Sequence, residues 1–192
     1  MRKAALLDER GDGFVWRQFI QMQALLRRAD AEIGILENRG EELLLALALC
    51  GASASEIAVV CTQDIDIDAR VIQLWGESER TNPIDDWSLG VMDEAVMRIP
   101  DSTPMVVRPD LPIQRAAHTV TVRLNRLIQQ AGLSSSAEFE LTGVSIRLGA
   151  ARKVFESEGL EAAAIFLGNQ SLLLHLMVKT VPLQVQIKHG RI

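Results

Sequence analysis

Cys50-Gly51-Ala52-Ser53-Ala54-Ser55-Glu56-Ile57 is the stretch on which the reading of this chain turns. Gly51 interrupts the apolar run that precedes it. Ser53 and Ser55, just ahead of Glu56, are N-cap candidates, because a hydroxyl there can accept a hydrogen bond from a backbone N–H one turn into a helix. A short helix through Val60 is expected to follow.

Upstream, Arg39 to Cys50 reads as a helix, nearly all apolar in its second half and therefore buried. Before it, Phe14 to Ala31 carries apolar positions at helical spacing. Downstream, Asp64-Ile65-Asp66-Ile67-Asp68 alternates and leads into Val71 to Trp75. Gly76 to Glu79 reads as a turn and Arg80 to Ile84 as a returning strand, together a β-hairpin. Trp87 to Ile99 is an amphipathic helix stopped by Pro100. Four of the six prolines fall between Pro100 and Pro112, so that segment is a loop with at most a short strand at Met105 to Val107. Ile113 to Ala131 is a long helix closed by Gly132, a favourable C-terminal stop. Ser134 to Ser136 reads as a loop. Three further helices are expected over Val144 to Ser157, Leu160 to Leu167 and Gln170 to Val178, and a strand over Val181 to Ile187. The fold class is therefore mainly α with a small β-hairpin or sheet. The expected organisation is an N-terminal helical arm over 1–38 and one domain over 39–192.

Composition narrows the function classes. With 48% hydrophobic and 23% charged residues the 192-residue chain is ordinary for a globular protein. No apolar run approaches a membrane span, and Met1 to Leu7 is too short for a signal-peptide core; a cytoplasmic location is expected. Cys50 and Cys61 lie in apolar surroundings, and His118, His175 and His189 are scattered, so they read as buried thiols and isolated imidazoles. No metal and no cofactor is expected. Residues 1–104 hold 10 Lys/Arg against 19 Asp/Glu, and residues 105–192 hold 10 against 6. The C-terminal half is mildly basic, but an isoelectric point near 5.3 argues against strong sequence-independent nucleic-acid binding.

The order of elements and several residues within it resemble the catalytic domain of the tyrosine recombinases, the phage-integrase family. That family has a T-G-x-R-x-S-E-L-like stretch followed by D-I-D; here Cys50 to Ile57 is followed by Asp64-Ile65-Asp66. Its hairpin often ends R-x-x-P-L; here Arg80-Thr81-Asn82-Pro83-Ile84. Its long helix ending in glycine is matched at Ala131-Gly132, and its H-x-x-R by Val144-Ser145-Ile146-Arg147. A glycine and an L-G-H motif follow in the family; here Gly159 and Leu167-Gly168-Asn169. The family tyrosine, nine residues beyond that histidine, falls on Val178. The resemblance spans about Arg39 to Val178.

The resemblance implies attack of a tyrosine oxygen on a DNA phosphodiester. Two arginines neutralise phosphoryl charge, and a lysine and histidine move protons. At the corresponding positions this chain has Ser53, Val144, Asn169 and Val178. It holds no tyrosine, and no lysine between Lys3 and Lys153. A hydroxyl at Ser53 supplies neither the charge nor the two-pronged donors of a guanidinium. Ser171 and His175 flank the nucleophile position, but His175 among leucines reads as structural, and a serine needs a base. No catalytic residue is expected.

The expected function is that of a catalytically inactive recombinase-like protein, an accessory or regulator in DNA integration or recombination that binds DNA. The alternative is a protein–protein interaction module on the same fold. Candidate phosphate contacts are Arg147, Arg123, Arg126, Arg152 and Lys153, with Arg115 on the same long helix. The family's DNA-clamping N-terminal domain is not expected within 1–38. Candidate partners are duplex DNA, an active recombinase, or a second copy joined through the strand 181–187; no membrane is expected.

Overall fold

The structure, a computed structural model, describes residues 39–76, 78–130 and 142–168. The expected arm over 1–38, the loop at Ser134, the Gly132 stop, the helix over Gln170 to Val178 and the strand over 181–187 lie outside these residues.

The apolar run after Gly40 forms α1 (Arg39–Leu49), with Glu41 and Glu42 in its first turn, where carboxylates suit the positive end of the helix dipole. Every residue from Leu43 to Cys50 is buried, so α1 is the spine of the core. Gly51 breaks it with φ of +81°, a backbone state that costs a glycine little. Ser53 then caps α2 (Ala54–Ile57): its hydroxyl accepts from the Glu56 N–H, and the Glu56 carboxylate accepts from the Ser53 N–H, a reciprocal capping box. The serine N-cap is where the sequence placed it, while the helix is shorter than the predicted run to Val60.

A 3₁₀ turn over Thr62–Asp64 leads into β1 (Ile65–Asp66), β2 (Val71–Leu74) and β3 (Arg80–Pro83), an antiparallel meander in the order β1-β2-β3. Val71 pairs with Pro83 and Leu74 with Arg80. Pairing in this register turns Arg80 and Asn82 inward and Thr81 outward. The sequence foresaw β2 and β3 as a hairpin; β1 joins them as a third strand.

Asp85 caps α3 (Asp86–Val96) by accepting from the N–H groups of Trp87 and Ser88. Met105 to Val107 forms no strand, in keeping with the loop expected there. A single bridge joins Cys61 to Pro104, and the Met105 N–H reaches Val60 O at 3.0 Å. Prolines 104 and 109 withhold the donors that a longer ladder needs.

α4 (Ile113–Gln130) is strongly amphipathic and buries Ala116, Val120, Leu124, Leu127 and Ile128. α5 (Gly143–Glu158) and α6 (Leu160–Leu167) meet at Gly159 and pack on each other; α6 ends in left-handed Gly168. Helices α3, α4 and α5 surround α1, and α6 lies against β3. Cys50 is buried and Cys61 half-buried, both as free thiols. No helix among the described residues is long and apolar enough to cross a membrane.

Candidate functional site

The motif pieces converge where α1, α2, β3, α5 and α6 meet. Four polar side chains are buried there: Glu56, Arg80, Asn82 and Arg147, each at most 9% exposed. Glu56 comes from the third position of α2. Arg80 and Asn82 come from alternate positions of β3, and Arg147 from the first turns of α5.

Their bonding follows from the helix ends around them. The last carbonyls of a helix have no partner within it and carry its negative pole. Here the α1 terminus offers Cys50 O and Gly51 O, and the α6 terminus offers Phe166 O and Leu167 O. Arg80 donates through Nε to Phe166 O at 2.9 Å and through Nη2 to Gly51 O at 3.1 Å. Asn82 Nδ2 donates to Cys50 O at 2.7 Å and Phe166 O at 2.8 Å. Arg147 donates through Nε to Gly51 O at 2.6 Å and through Nη2 to Leu167 O. Glu56 closes the network, accepting from Arg80 Nη1 at 2.5 Å and Nη2 at 3.0 Å, and from the Ser53 N–H at 2.7 Å.

The protonation states agree with this bonding. Burial pushes the Glu56 carboxyl upward, but the hydrogen bonds from Arg80 and Ser53 and the Arg80 charge prevail, and it is held below its ordinary range. Burial pulls the Arg147 guanidinium down, and Glu56 pulls it back up. The Cys50 thiol is pushed far up, chiefly by burial. It is no nucleophile.

The positions that the resemblance assigned to chemistry have other occupations. Ser53 is spent as the α2 cap, with its Oγ 3.1 Å from Ser55 Oγ. Val144, half-exposed, projects an inert side chain from the first turn of α5. Asn169, Val178, Ser171 and His175 lie outside the described residues. Arg147 is brought to the centre, but its guanidinium faces inward onto carbonyls. His118 is the one imidazole among the described residues and stands exposed on α4. No group of three or more metal-ligating side chains gathers among the described residues.

The other candidate cations diverge. Arg123 is half-buried, bonded to Glu41 at 3.0 Å and Val106 O at 2.6 Å, so it ties α4 to α1. Arg126, three residues on, is exposed. Arg152 bonds Glu156, one turn along its own helix, at 2.9 Å. Lys153 is exposed; partial burial lowers its ammonium while Asp85 acts in the opposite sense. Arg115 is exposed on α4.

The sequence reading named Arg80, Asn82 and Glu56 only as motif punctuation. Their signal was the alternation on β3, which puts an arginine and an asparagine on the face that also carries buried Leu74 and Ile72 across the hairpin.

No family model and no curated protein matches this sequence. Solved structures do. An integrase from mycobacterium phage Brujita aligns at 16% identity and a TM-score of 0.55, over 80% of this chain and 50% of that one. A XerA recombinase aligns at 14% and 0.53, over 77% and 60%. The Tn1549 transposon integrase, in complex with a circular intermediate DNA, aligns at 12% and 0.54, over 83% and 59%. The chain thus spans about half to three-fifths of the length of the structures it resembles. The fold is that of the tyrosine recombinases.

Proposed function

We propose that this chain is a catalytically inactive recombinase-like protein, an accessory or regulator of DNA integration or recombination. The observation that carries this reading is the fate of the charged centre. The two guanidiniums at the meeting point of the motifs, Arg80 and Arg147, are spent on three helix-end carbonyls, those of Gly51, Phe166 and Leu167, and one carboxylate. Where the family resemblance places the first catalytic arginine, the chain uses Ser53 to cap a helix. A transition state that builds charge on phosphoryl oxygens needs donors aimed outward at it, and these donors are satisfied within the protein.

The charge distribution favours protein contact as the means of action. Arg70, Arg80, Arg98, Arg108, Arg123 and Arg152 each form an ion pair with a carboxylate. Duplex contact is the second reading. It rests on the exposed Arg115 and Arg126 of α4, a helix without a single Asp or Glu.

The test incubates the protein with a nicked duplex designed to trap a covalent protein–DNA adduct, then titrates it with duplex DNA at low and high salt. The expected result is no adduct. An adduct overturns the reading. Binding that falls steeply with salt, and that Arg115→Ala with Arg126→Ala abolishes, selects duplex contact over protein contact.

A further inference from the structure

The outward faces of α3 and α4 complement one another. On α4 the solvent side carries His118, Val122 and Arg126 in successive turns, with Val122 51% exposed at the centre. On α3 the solvent side carries Asp86, Gly90 and Asp93 in successive turns. At Gly90 nothing lies within 4 Å of where a Cβ would stand, so this face has a shallow gap at its middle. Both helices pack on α1, so each presents its stripe away from the core.

We propose that α4 of one copy docks on α3 of a second copy, with Val122 seated over Gly90. In the antiparallel arrangement, one turn (about 6 Å along the axis) to either side of that centre brings Arg126 to Asp86 and His118 to Asp93. An apolar centre flanked by paired polar groups is the pattern of a protein interface. A phosphate backbone would be met by a row of cations, whereas this stripe carries one arginine beside an exposed valine. The acidic stripe with a gap of matching place is supplied by the same chain. Asp86 bonds Arg70 through Oδ1, and a carboxylate has a second oxygen for another cation.

Each copy carries one face of each kind, so the contact is head-to-tail and either closes a ring or propagates. This inference is independent of the proposed catalytic inactivity.

Sedimentation of the full chain over a concentration series tests it. The mass is expected to rise with concentration at low salt and to fall back with added salt. Arg126→Glu disables the α4 face and Asp86→Ala with Asp93→Ala the α3 face. These residues are exposed, so folding is kept. Each variant alone is expected to associate at least about tenfold more weakly. An equimolar mixture of the two is expected to form dimers and stop there, because only one intact face of each kind remains. Gly90→Leu, which fills the gap and leaves every charge in place, is expected to weaken association as well. A wild-type chain that stays monomeric overturns the proposal. So does a mixture no heavier than its components. Loss of duplex binding in Arg126→Glu with unchanged self-association also overturns it, and gives the face to nucleic acid.

Discussion

Arg80 and Arg147 converge on one acceptor: the Gly51 carbonyl receives Arg80 Nη2 at 3.1 Å and Arg147 Nε at 2.6 Å. Two guanidiniums this close repel. They stay together because the negative ends of α1 and α6 point between them and the Glu56 carboxylate holds Arg80. The arrangement joins elements distant in sequence, so it is a structural lock built from the family's motif positions.

Replacing Arg80 with Met is expected to destabilise the fold by about 3–5 kcal/mol, because it strands the Glu56 charge in the interior. Arg147→Met takes the donor from the Leu167 carbonyl and leaves Gly51 with Arg80 alone, and is expected to cost about 1–3 kcal/mol. Urea unfolding followed by circular dichroism measures both. An Arg147→Met protein with an unchanged midpoint and weakened DNA binding would show that Arg147 works on a ligand instead.

The lowered Glu56 carboxyl makes stability depend on pH in a defined direction. Unfolded, the group titrates near about 4.3; folded, it titrates lower. Its contribution is therefore fully present above the unfolded value and is lost as pH falls through the folded one. Urea midpoints at pH 7 and pH 3 are expected to differ more for the wild type than for Glu56→Gln. Equal differences would remove Glu56 from the acid response.

Much of the fold was legible because its punctuation is local. Gly51, the Ser53 cap, the Gly159 break and the period-3.6 stripe of α4 each act within a few residues, and the elements they predict are present. The segment from Pro100 to Pro112 was legible as a loop for the same reason, since its prolines lack the donors a ladder needs. The direction of Arg147 was harder. The long side chain could serve solvent or interior, and only its neighbours on α5, the buried Ile146, Ala150 and Ala151, mark its stripe as inward. The acceptors that decide the matter come from helix ends 20 and 96 residues away, a distance no local pattern encodes.

Close packing at the lock is expected to punish a single methyl group. A Cβ on Gly51 would stand 2.5 Å from the Phe166 ring and 2.9 Å from Asn82 Nδ2, on a backbone with φ of +81°. On Gly168 it would stand 2.5 Å from Arg80 Nη1. Gly51→Ala and Gly168→Ala are each expected to lose about 2 kcal/mol or more. Gly159, whose φ of +92° is also left-handed but whose Cβ would meet nothing, is expected to lose less on the same change. Thermal melts of the three variants give the order; a Gly159→Ala protein as unstable as Gly51→Ala would show that backbone strain, and not the crowding, dominates.

Restoring the missing arginine is expected to harm the protein without reviving chemistry. Ser53→Arg removes the hydroxyl that accepts from the Glu56 N–H, a loss of about 1 kcal/mol. It also adds a third guanidinium beside Arg80 and Arg147, where Glu56 is the one carboxylate in the network and is already bonded to Arg80. The new cation is therefore driven outward, toward solvent and any phosphate present. Two measurements separate the consequences. The melting temperature is expected to fall, and affinity for duplex DNA at low salt is expected to rise. The nicked trapping substrate is expected to give no adduct, since the substitution supplies charge but no nucleophile. An adduct formed by Ser53→Arg and absent from the wild type would show that a group other than tyrosine stands ready to attack, and that the arginine alone had been limiting.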